Sequence, residues 1–264
     1  MARSPKKSQT AINSPKNKGK VLSDVIFSVI WVGASTIVSQ LAVGYLMLWV
    51  IGYEEFTQPV WTAVYSALVY VLALILIVLF PHLIAKKRQK WSEFKTNRSE
   101  LGLTGIPTWT DIGLAPVGFV FYLLLASIVV AIFSLFPWFD AEQVQNTGFN
   151  IYVMGLDRII AFVTLVVVAP IAEEIIFRGW LYGKLREILI NKVKDTWSMI
   201  ISILLVSVLF GIVHLQWNVG INVFAMSVVL CGLREITGTI YSGIILHMLK
   251  NGVAFYLLYI RGMS

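Results

Sequence analysis

The chain has a single cysteine, Cys231, which excludes an internal disulfide framework and any zinc site built from several thiolates. Cys231 lies in an apolar run, where cysteine serves as a small packing residue. Histidine is nearly as scarce, with three in 264 residues, and no H-E-x-x-H motif occurs. Charge is scarce too: Asp, Glu, Lys and Arg make up 13% of the chain, about half the share usual in a soluble domain. With 58% hydrophobic residues and a mean hydropathy of +0.79, this composition belongs to a polytopic membrane protein. No internal repeat is evident.

Long apolar runs are what the chain has in abundance. A helix needs ~20 apolar residues to cross the hydrocarbon, which predicts spans near 25–51, 61–84, 112–136, 159–181, 197–215, 219–233 and 238–260. The sixth is short. The fold expected is therefore all-α, a compact bundle of about seven transmembrane helices. Residues 1–20, rich in Ser, Pro, Asn and Lys, read as a disordered basic cytoplasmic tail. Residues 21–158 hold the first spans and a cytoplasmic loop at 85–111, and 159–264 form the membrane core that carries the chemistry.

The net charge of +7 does not point to nucleic acid, because the positive residues flank the spans. Arg3, Lys6, Lys7, Lys16, Lys18 and Lys20 precede the first run, and Lys86, Lys87, Arg88, Lys90, Lys95 and Arg98 follow the second. Lys184, Arg186, Lys192 and Lys194 follow the fourth, and Arg234 follows the sixth. The connections on the opposite side hold only Arg158 and Arg261. Basic residues accumulate in cytoplasmic loops, so the N-terminus is expected inside, in the cell membrane, with anionic lipid as a neighbour. Trp61, Trp109, Trp138, Trp180 and Trp197 fall at expected span ends, where indoles favour the headgroup region.

Two adjacent acids, Glu173 and Glu174, lie inside the fourth run. A charged carboxylate at the bilayer centre costs at least ~2.5–3.5 kcal/mol, so such residues mark functional sites. Arg178 is four residues after Glu174 and shares its helix face, which makes those two an ion pair. Glu173 points ~100° away and is left as the free acid. Pro170 removes a backbone donor three residues before Glu173 and is expected to open the helix there.

Two of the histidines fall in later runs: His214, with Phe210 one turn before it, and His247, with Asn251 one turn after it. The third, His82, follows Pro81 at a span end and reads as an interfacial residue. Buried polar groups of this kind can act as glue between membrane helices. An acid pair, an arginine, two histidines and an asparagine on three helices exceed what packing needs.

Taken in order, Glu173-Glu174-x-x-x-Arg178, Phe210-x-x-x-His214 and His247-x-x-x-Asn251 resemble the three motifs of the CAAX prenyl protease and bacteriocin-processing (Abi, CPBP) family. The resemblance covers about residues 159–255. It implies an intramembrane glutamate endopeptidase that hydrolyses a peptide bond of a membrane-associated peptide or protein. By that pattern Glu173 and His214 activate the water, His247 and Asn251 stabilise the oxyanion, and Glu174 and Arg178 support them. No cofactor is implied. Lys250 departs from the pattern, standing where an uncharged residue is expected.

Other readings remain open from the residues alone. Glu173, His214 and His247 could supply a two-histidine, one-carboxylate zinc set. A non-enzymatic immunity or scaffold protein could keep the fold, and intramembrane acids and histidines also mark ion paths. Depth raises a further question. Glu173 lies ~16 Å from Lys184 and His247 ~14 Å from Gly238, but His214 lies ~26 Å from Trp197. The first two distances put the site in the cytoplasmic half, and the third requires a submerged turn near 215–220.

Overall fold

The computed structural model describes residues 15–87, 89–140, 146–149, 153–190 and 192–262. The described residues form helices and no strand. Seven helices are long and apolar enough to cross a membrane, so this is an integral membrane protein of the all-α class. They are α1 (Pro15–Phe56), α2 (Pro59–Ala85), α3 (Trp109–Phe133), α4 (Gly155–Leu189), α5 (Asp195–Ile212), α6 (Trp217–Thr237) and α7 (Tyr241–Ile260). Large apolar side chains such as Leu83, Leu124 and Ile128 are exposed on the outside of the bundle, as helices solvated by lipid require.

Two expectations change. Part of the tail expected at 1–20 is helical, since α1 already runs from Pro15, and residues 1–14 lie outside the described residues. The sixth helix is not short, having 21 residues. Hydropathy trims it at Arg234 and Glu235, yet both charges are satisfied where they stand. Glu235 Oε1 accepts from Arg186 Nη2 at 2.7 Å, and Arg234 Nη1 donates to the carbonyl of Gly238 just past the helix end.

The elements that matter for the site are tied at both ends. At the start of α3, Thr108 and Asp111 form a reciprocal capping box, the Thr108 N–H donating to Asp111 Oδ2 at 2.8 Å. The other oxygen of this buried carboxylate accepts from Thr239 at 2.8 Å and Ser242 at 3.0 Å, which pins α3 to the start of α7. The segment before α3 then lies across the same end of the bundle. Arg234 Nη2 donates to the Glu100 carbonyl at 2.8 Å, the Ile240 N–H to the Gly102 carbonyl at 3.2 Å and Tyr241 Oη to the Gly105 carbonyl at 2.9 Å.

At the opposite end α5 and α6 touch backbone to backbone. A Cβ at Gly211 would lie 2.8 Å from the Gly220 carbonyl oxygen, and the reverse holds equally. Only glycine at both positions allows that crossing. The connection between them is the four-residue turn 213–216, with Leu215 at a φ of 54°. It holds His214 and lies slightly earlier than the turn expected near 215–220.

Candidate active site

The site is built around irregularities in α4. Two stretches, Val163–Val168 and Glu174–Tyr182, are π-helical, a geometry that recurs at functional sites. Between them lies Pro170. The Ala169 N–H bonds to the Thr164 carbonyl, five residues back, and so leaves the Leu165 carbonyl unclaimed. Pro170, the next residue that could reach Leu165 in this register, has no N–H. Asn251 of α7 fills the gap, its Nδ2 donating to the Leu165 carbonyl at 2.8 Å. The opening expected at Pro170 is thus real, and a neighbouring helix satisfies it.

A cavity of about 530 Å³ lies beside this opening. Glu173, His214, His247, Lys250 and Asn251 all line it. The Glu173 side chain is 16% exposed, whereas Glu174 and Arg178 are 0% exposed and lie behind it. Glu174 Oε1 accepts from Arg178 Nη1 at 2.9 Å and faces His247 Nδ1 at 3.0 Å. Its Oε2 lies against Gly243 of α7, where a Cβ would come within 2.9 Å. The Arg178 guanidinium also stacks over the Phe210 ring, 4.4 Å from its centroid.

Hydrogen bonds set the orientation of both imidazoles. His214, in the turn after α5, has Nδ1 at 2.7 Å from the Phe210 carbonyl. A carbonyl only accepts, so Nδ1 carries the proton and Nε2 is left for the cavity. His247 has Nδ1 on Glu174, and its Nε2 lies 3.8 Å from Glu173 Oε2. His247 therefore stands between the two carboxylates. Phe210 connects the histidines, its ring edge-on to His214 at 4.9 Å and to His247 at 6.1 Å.

The structure adds one residue that the sequence does not single out. Tyr70 of α2 donates its hydroxyl to Glu173 Oε1 at 2.6 Å. A tyrosine inside an apolar run carries no motif, and only the packing of α2 on α4 brings it to the acid. Removing that hydroxyl frees the carboxylate to rotate. A hydrogen bond to a charged group contributes ~1.5–3 kcal/mol. Tyr70→Phe is therefore expected to lower kcat about tenfold with KM little changed, as measured on any cleaved peptide.

Two other expectations fare differently. Asn251 reaches the cavity wall, but its amide is engaged with Leu165 rather than held beside His247 as a pair. Among the described residues no three His, Cys, Asp or Glu side chains are gathered as a group that could hold a metal ion. The cavity also runs away from the basic ends, toward the end of the bundle with residues 146–148 and the 213–216 turn.

Residues 155–253 match the family model described as Rce1-like, type II CAAX prenyl endopeptidase. Over that segment the chain is similar to the Rce1-like family. No curated protein and no solved structure matches the chain. The matched segment begins with α4 and ends within α7, and it holds Glu173, Glu174, Arg178, His214, His247 and Asn251. The family is one of CAAX proteases, which are hydrolases. Tyr70 lies outside the matched segment, so the spans before it contribute a direct contact to the acid.

Proposed function

We propose that the protein is an intramembrane endopeptidase that hydrolyses a peptide bond of a membrane-associated peptide or protein. The observation that carries this reading is the division of the acid pair. Glu174 is buried on Arg178, and Glu173 faces the cavity opposite two imidazoles whose Nδ1 atoms are already committed. The lipid bilayer is the protein's setting, in the cell membrane with the N-terminus cytoplasmic.

In this mechanism a water sits between Glu173 and His214. The lone pair of His214 Nε2 accepts one of its hydrogens, and Glu173 takes the other as the oxygen attacks the peptide carbonyl. His247 is oriented by Glu174 at Nδ1 and presents Nε2 to the cavity, where an N–H would donate to the oxyanion. Such a donor in a dry site contributes ~3–4 kcal/mol to the transition state. Glu173 then returns its proton to the departing amine. Asn251 holds α4 and α7 together at the cavity, and its second amide hydrogen is available to the oxyanion. No cofactor enters any step.

The test is hydrolysis of a membrane-peptide library by the protein purified in detergent. His214→Ala should lower the rate by about 10²-fold or more, while the variant melts at a temperature close to that of the parent. Cleavage that continues unchanged in His214→Ala would sink the mechanism.

A further inference from the structure

The cavity has a direction, and the charges assign that direction a side. Its lining runs from the middle of the bundle to the end where α1 meets α2, α3 meets α4 and α5 meets α6. Residues 146–148 and the 213–216 turn form its rim, joined by the Asn146 N–H donating to Gln216 Oε1 at 3.1 Å. Thr147 and Tyr259 share a hydrogen bond of 2.5 Å beside it. Among the described residues no lining residue comes from the connections 86–108, 190–194 or 238–240 at the other end.

That other end is covered. Residues 97–108 lie over it through the bonds to Arg234, Ile240 and Tyr241, and the buried Leu101 packs on Gly179, one residue after Arg178. A second cavity there, of about 550 Å³, shares no lining residue with the first. Arg178 and Glu174 stand between the acid and the covered end as a buried barrier.

The Lys and Arg residues are divided along the same axis. Among the described residues the covered end carries thirteen Lys and Arg, and the open end carries Arg158 and Arg261. Lys/Arg bias of that size sets orientation, with the rich side cytoplasmic. We infer that the active-site cavity opens to the non-cytoplasmic face and takes a peptide segment already delivered across the membrane. The reaction that supplies its substrate is thus a translocation step. An isoprenylated C-terminus lying at the cytoplasmic surface would meet the covered end. The substrate class rests on the peptidase reading, but the direction of opening does not.

Labelling separates the two. Cys231 is buried, so the parent protein gives a low background with a membrane-impermeant maleimide. Single cysteines are placed at the rim (Asn146→Cys), in the cavity wall on α1 (Gln40→Cys) and at the covered end (Glu187→Cys, whose side chain is exposed). Each variant is first matched to the parent in membrane level and melting temperature. In whole cells, Asn146→Cys and Gln40→Cys are expected to label, and Glu187→Cys only after permeabilisation. The inverse pattern overturns the inference, and so does a Gln40→Cys that stays unlabelled while Asn146→Cys reacts. Neither result depends on peptide cleavage, so a protein without peptidase activity could still show the outward opening.

Discussion

Glu173→Gln is expected to slow peptide hydrolysis by about 10²–10⁴-fold while leaving the protein folded. The amide keeps the size of the carboxylate and still accepts from Tyr70, so the wall of the cavity is retained. What it loses is the ability to take a proton from water. The loss should fall on kcat, since Glu173 contributes one small part of the cavity that binds the peptide. Glu173→Gln that cleaves at the parental rate would remove this residue from the chemistry. If Glu174→Gln then proved inactive, the free acid would have been assigned to the wrong member of the pair.

Arg178→Met has the largest expected effect on stability. It leaves Glu174 as a carboxylate with no solvent exposure, held only by His247, and its Oε2 has no hydrogen-bond partner among the described residues. Breaking a buried pair from one side costs about 3–5 kcal/mol. The apparent melting temperature in detergent should fall sharply. The double variant Arg178→Met with Glu174→Gln should recover a large part of the loss, because no uncompensated charge remains. A double variant as unstable as the single one would mean that packing of the guanidinium on Phe210 dominates instead. Activity should not recover with stability, since Glu174 also holds His247.

The acid pair was legible from spacing alone. A four-residue interval puts Glu174 with Arg178, and a one-residue offset turns Glu173 aside; the ion pair at 2.9 Å and the cavity-facing Glu173 follow that geometry. Span number was legible for the same reason, because helix length against the bilayer is a local property. Other features are long-range. Nothing near Tyr70 in the chain distinguishes it from any interfacial tyrosine. The engagement of Asn251 depends on a carbonyl 86 residues away that a proline and a π-turn leave free. The length of α6 was misread because its terminal charges find partners on other elements.

Sequence separation also orders the assembly of the site in time. His214 is placed by a turn whose two glycines are nine positions apart, a contact the chain can make as soon as that hairpin exists. Tyr70 reaches Glu173 across 103 residues and His247 reaches Glu174 across 73, and closing such intervals is slower. Glu173, the acting carboxylate of the proposed mechanism, therefore depends on the longest of these closures. On the proposed mechanism, activity requires the spans on either side of α4 to have closed around it.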